Sequence, residues 1–117
     1  MRVTVEQMAS TLRRRAAARA ARASSRAEAL LAHMPEARNL LRARYGATSV
    51  WLFGSLAVGN YRDTSDVDIA VTGLASVDYF AALTDLMNLF AVPVDLVRLE
   101  EASSSLKERI LAEGRRL

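Results

Sequence analysis

The stretch FGSLAVGNYRDTSDVDIAV, residues 53–71, decides how this chain reads. An apolar run ends at Phe53 and is followed at once by Gly54 and Ser55. After ten more residues, Asp66 and Asp68 bracket Val67 at the head of a second apolar run. Residues two apart on a strand point to the same face. Asp66 and Asp68 are therefore expected to aim together, with Val67 and Ile69 turned the other way into a core. Two carboxylates side by side repel and raise one another's pKa. Such a pair is kept where something positive sits between them. Hard oxygen ligands at this spacing suit Mg²⁺, which commonly takes one or two carboxylates plus substrate phosphates.

Two further segments complete the constellation. Asp95 lies in the third apolar run, VPVDLV, residues 92–97, and supplies a third carboxylate if that strand is adjacent. Gly54 allows a phosphate to approach the backbone. Ser55 opens a short helix whose first amides and hydroxyl favour an anion. Carboxylates around a phosphate point to metal-assisted phosphoryl or nucleotidyl transfer. Plainer readings exist for each residue. Asp66 and Asp68 could cap the loop NYRDTS, Asp95 could pair with an arginine, and Ser55 could serve only as a helix cap. Asp63 and Ser65 read as hydrogen-bonders within that loop.

Gly-Ser, ten residues, then Asp-x-Asp resembles the signature of the nucleotidyltransferase superfamily related to DNA polymerase beta. With VDLV and ERILAEG downstream, residues 36–117 resemble its minimal nucleotidyltransferases, the MNT proteins. The resemblance implies an α/β (α+β) fold, a small mixed sheet flanked by helices. It implies that Gly54 and Ser55 bind the triphosphate of ATP, and that Asp66, Asp68 and Asp95 bind Mg²⁺ and carry the catalysis. Many members are antitoxins of a HEPN-domain ribonuclease toxin. They transfer AMP to a hydroxyl of that partner, a tyrosine, and silence it. The family often has arginine where this chain has Leu56 and Val58. That departure motivates an alternative, a weakly active or inactive antitoxin that acts by complex formation. A further alternative is transfer to a small-molecule hydroxyl, as in aminoglycoside nucleotidyltransferases.

The rest of the chain frames this segment. The 117 residues suit one domain, and about half are apolar. No cysteine is present, and His33 is the lone histidine, which excludes disulfides and thiolate or multi-histidine metal sites. No apolar run approaches a membrane span, and no signal-like stretch opens the chain, so a cytoplasmic location is expected. Residues 1–44 carry ten arginines against three glutamates, +7, whereas residues 45–117 sum to −4. The arginines read as a solvated helix face, with nucleic-acid or partner contact as the lesser reading, since no aromatic residue interleaves with them to stack bases.

Spacing predicts helix over residues 1–44, with a capping box of Thr4 and Gln7. A radius of gyration of ~13 Å for a compact domain argues that this helix breaks, at Ser24-Ser25 or Met34-Pro35. Residues 1–28 then form a helical extension and residues 29–117 the nucleotidyltransferase domain. Residues 48–53, 67–71 and 92–97 read as strands, with Pro93 marking an edge. A helix opens at Ser76 with Phe80, Leu83, Met87 and Phe90 as its buried stripe, and Trp51 and Phe53 join the core. The last helix is expected to start with Ser105 and Glu108 and to end at Gly114.

Overall fold

Thr4 does open the first helix. In the computed structural model, which describes residues 2–62 and 64–117, its hydroxyl accepts from the Gln7 amide and the Gln7 side chain caps the Thr4 amide in return. Helix α1 (Val5–Ala32) then runs unbroken through Ser24-Ser25. Alanine and arginine are strong helix formers, so two serines do not stop it. The break falls at His33, where Pro35 takes the first turn of α2 (Met34–Asn39). That helix widens into a π-helical turn at Leu40–Arg44 and stops before Gly46. Arg44 and Tyr45 both donate to Asp85, tying this turn to the helix that carries it.

Four strands form one mixed sheet in the order β3-β2-β1-β4. Strand β1 (Ser49–Phe53) pairs antiparallel with β2 (Val67–Thr72) and with the short β4 (Arg115–Arg116). Strand β3 (Val94–Arg98) lies parallel to β2 at one edge, with Pro93 just ahead of it. Between β1 and β2 sits a single helical turn, α3 (Gly54–Val58). A 3₁₀ turn (Ser76–Asp78) leads into α4 (Tyr79–Phe90), which returns the chain to β3. Helix α5 (Ser104–Glu113) follows β3.

Period-two alternation assigns the two faces of the sheet. Val50, Leu52, Val67, Ile69, Val71 and Leu96 point to one face, where they pack against α2, α4 and the end of α1. Phe53, Ala70 and Leu99 point to the other, where Ile110 and Leu106 of α5 cover them. Each fully buried aliphatic side chain in these layers contributes ~1.5–3 kcal/mol. Asp68 shares its strand face with Ala70 and therefore lies on the α5 side.

Several expectations are corrected. Phe80 is 77% exposed and Met87 also faces solvent; Ala82, Leu86 and Phe90 are the buried residues of α4. Tyr79, Ala82, Leu83, Leu86, Leu89 and Phe90 also recur at three- and four-residue spacing, so α4 carries two candidate apolar faces and this is the one packed on the sheet. Trp51 is half-buried rather than core, its ring facing Arg116 of β4 at 5.8 Å. Ser103, not Ser105, caps α5, accepting from the Leu106 amide at 3.2 Å. The radius of gyration is 18.0 Å, because α1 projects from the body instead of folding onto it. Leu30 is the buried residue of α1 among the described residues, so that helix joins the core only near its C-terminal end.

Candidate active site

Asp68 lies directly opposite Asp95 in the parallel β2/β3 register, and opposite Phe53 across β1. In-register neighbours project to the same side of a sheet. Asp66, two residues before Asp68 and just ahead of β2, adds its negative charge to the environment of Asp68. The loop that delivers it is pinned by its own hydrogen bonds. Tyr61 donates to the Ser65 carbonyl at 3.0 Å, and the Arg62 amide donates to the Ser65 hydroxyl at 3.2 Å. Ser65 is thus the loop hydrogen-bonder that the sequence suggests; Asp63 lies outside the described residues. The Val67 amide donates to the Pro93 carbonyl at 3.1 Å, which sets the starts of β2 and β3 side by side.

Gly54 closes the other wall. Its φ of +73° is left-handed, and a Cβ built there would stand 2.1 Å from the Asp68 Oδ2. A side chain here would have to displace the Asp68 carboxylate, which lies against bare backbone at the start of α3. Ser55 follows within the same turn. Gly59, with φ +83°, ends the turn, and its amide donates back to the Ser55 carbonyl. The five residues predicted as the site therefore gather where the end of β1 meets the starts of β2 and β3.

The electrostatics follow from that placement. Asp68 is partly buried, and its pKa is pushed up to about 6, first by desolvation and then by the charges of Asp95 and Asp66. Arg109 of α5 opposes the shift. Arg109 also lines a cleft of about 310 Å³ with Phe53, Gly54, Val58, Ile110 and Glu113, and Gly54 is the point at which this cleft adjoins Asp68. The sequence reading missed Arg109, although it sits inside the ERILAEG segment; nothing in the spacing says that α5 lies on the Asp68 face.

The two non-arginine positions part company here. Leu56 is 2% exposed and packs in the core beneath Leu31 and Tyr61, so it does not border the cleft. Val58 is 51% exposed and does. The cation of this cleft comes from α5.

Among the described residues, no three carboxylate or histidine side chains converge into a ready metal cage. Asp66 and Asp95 are exposed and Asp68 only partly covered, and like charges keep such groups apart. The donor set nonetheless fits Mg²⁺, an ion usually held by one or two carboxylates together with substrate phosphate oxygens rather than by an all-protein cage.

Residues 36–117 match the polymerase beta nucleotidyltransferase family. The chain belongs to that family. It is 40% identical, over 60 residues, to a protein assigned as the protein adenylyltransferase MJ1215 of Methanocaldococcus jannaschii; the match covers 49% of this chain and 70% of that one. A solved toxin–antitoxin structure with AMP-PNP is 30% identical with a TM-score of 0.61, covering 67% of this chain and 66% of that chain. A solved minimal nucleotidyltransferase is 34% identical with a TM-score of 0.59, covering 80% of this chain and 91% of that chain. This polymerase beta-type chain thus spans just under two-thirds of the toxin–antitoxin chain and most of the minimal one. Among the described residues, no helix is long and apolar enough to cross a membrane.

Proposed function

We propose that this nucleotidyltransferase is an MNT-type antitoxin that transfers AMP from ATP to a tyrosine hydroxyl of a HEPN-domain ribonuclease partner in the cytoplasm. One observation carries the reading. Asp68 and Asp95 are in register on one sheet face, Asp66 is beside them, and Gly54 leaves the backbone bare against Asp68. The similarity to an assigned protein adenylyltransferase and to a toxin–antitoxin structure with AMP-PNP supports the choice of nucleotide and of a protein acceptor.

In this reading Gly54 and Ser55 receive the triphosphate at the mouth of the cleft. Asp66 and Asp68, with Asp95, would hold Mg²⁺, which neutralises phosphate charge and lowers the pKa of the attacking hydroxyl. Asp95, at the exposed edge strand, stands where an incoming hydroxyl arrives and accepts its proton. The hydroxyl oxygen bonds to the α-phosphorus as the bond to the pyrophosphate oxygen breaks, leaving AMP on the acceptor and releasing pyrophosphate. Arg109, on the cleft wall, is placed to orient the phosphates against the carboxylates. Holding donor and acceptor in line is where such a site gains most of its rate.

The test uses the partner with ATP and Mg²⁺, read by intact mass, with the Asp66→Ala/Asp68→Ala double variant in parallel. Added AMP with the wild type and none with the variant supports transfer. Neutralisation by a folded double variant would instead favour complex formation.

A further inference from the structure

Helix α1 carries a feature that nucleotidyl transfer does not use. Arg15, Arg19, Arg22 and Arg26 follow one another at four-, three- and four-residue spacing. At 3.6 residues per turn they share a strip roughly 60° wide, and at 1.5 Å per residue the strip is about 16 Å long. All four are exposed. The acidic residues of α1, Glu6 and Glu28, fall on the far side of the helix. Among the described residues the ion pairs are Arg44–Asp85 and Arg98–Glu101, and neither involves α1. Residues 1–28 carry seven arginines and two glutamates, a charge of +5, on a helix whose N-terminal half projects from the body. Arg19 also lines a cleft of about 380 Å³ together with Arg62 of the loop before Asp66, which continues the cationic track onto the domain.

A row of guanidiniums with no ion-pair partner among the described residues calls for a polyanion. A second copy of this chain is opposed by the like charge of two such helices. Single-stranded nucleic acid is disfavoured because α1 has no aromatic residue on which bases could stack. A lipid surface is disfavoured because alanine fills the apolar stripe between Leu12 and Leu30 and would insert little area. Duplex DNA fits on charge and on shape. Its phosphates recur every ~3.4 Å of axis on each of two strands, so a strip of this length laid along or across a groove has phosphates of both strands within reach. Its major groove, ~12 Å wide, admits a helix, and alanines at 16, 17, 18, 20 and 21 keep this one slim around the row. The major groove of duplex RNA is too deep and narrow for this.

We propose that α1 is a DNA-binding arm that grips the phosphate backbone of duplex DNA through Arg15, Arg19, Arg22 and Arg26, with little dependence on base sequence. Fluorescence anisotropy of the full chain on a labelled mixed-sequence DNA duplex, titrated over a salt series, tests this. Neutralising four phosphates predicts a slope of log affinity against log salt of about −3.6. The Arg15→Gln/Arg19→Gln/Arg22→Gln/Arg26→Gln variant should keep its helix content and its mass-shift activity but lose duplex binding at least tenfold. The corresponding Lys variant should retain it, since phosphate contact needs charge and not a fork. Equal duplex binding by the Gln variant would overturn the proposal. So would absence of binding by the wild type at low salt. Stronger binding to the single strand, to duplex RNA or to phosphatidylserine vesicles than to duplex DNA would overturn it too.

Discussion

Asp68→Asn should make the metal-free protein more stable at neutral pH. The Asp68 carboxyl has its pKa raised from 3.8 to about 6 in the fold, chiefly by desolvation and then by the neighbouring Asp95 and Asp66 charges. An acid with a raised folded pKa contributes stability below its unfolded pKa and loses it as pH climbs through the folded value. The loss therefore accumulates between about pH 4 and pH 6 and is complete above. Two pKa units correspond to ~3 kcal/mol at 1.36 kcal/mol per unit. Asp68 is partly open to solvent, which screens the charges, so ~1–2 kcal/mol is the expected gain. A domain of this size should then melt several degrees higher. Urea unfolding in EDTA at about pH 7.5 and about pH 3.5 reads the effect. The Asn variant should be the more stable at the higher pH and equal to wild type at the lower. Adding Mg²⁺ with ATP should stabilise the wild type and leave the variant unmoved. A variant that is less stable at pH 7.5, or that gains equally at both pH values, would refute the reasoning that charge crowding at this site costs the fold stability.

Gly54→Ala should destabilise by more than the ~1–2 kcal/mol of a left-handed non-glycine residue, because its Cβ also meets the Asp68 carboxylate; denaturant midpoints measure this. Arg109→Gln should raise the Asp68 pKa further, since Arg109 is the group that lowers it, and should raise the KM for ATP; carboxyl NMR titration and steady-state kinetics check both. Ser103→Ala should cost ~1 kcal/mol of stability while Ser105→Ala costs little, because Ser103 makes the capping bond to Leu106. Thr4→Ala should fray the start of α1, seen as faster amide exchange over residues 5–8, with little change in global unfolding because that end packs on almost nothing.

The grouping of the candidate residues was legible because their spacing is local. Asp66 and Asp68 declare themselves as charges at the head of a strand, and Gly54-Ser55 sits at a fixed distance before them. Asp95 follows once its run is read as the neighbouring strand, and the register confirms the pairing. What depends on three-dimensional packing was not legible. Arg109 enters the site only because α5 crosses the Asp68 face, and Leu56 leaves it only because the α3 turn buries that position beneath α1. Phe80 is exposed because α4 has a second apolar face, through Ala82, Leu86 and Phe90, and spacing alone does not say which one meets the sheet. Strand β4 is two arginines long, too short and too charged to show a strand pattern, and it exists because β1 offers it an edge. The projecting α1 defeated a size argument: helix propensity and a capping box sustain 28 helical residues of which only the last turns, around Ala27, Leu30 and Leu31, lie on the core.

The central claim is that Asp66, Asp68 and Asp95, facing Gly54-Ser55, transfer AMP to a protein hydroxyl. Intact-mass spectrometry of the HEPN partner, after incubation with this chain, ATP and Mg²⁺, tests it most directly. The partner should gain the mass of one or more AMP groups, lost with the Asp66→Ala/Asp68→Ala variant and with EDTA. A partner of unchanged mass, in the presence of folded wild-type protein, would contradict it.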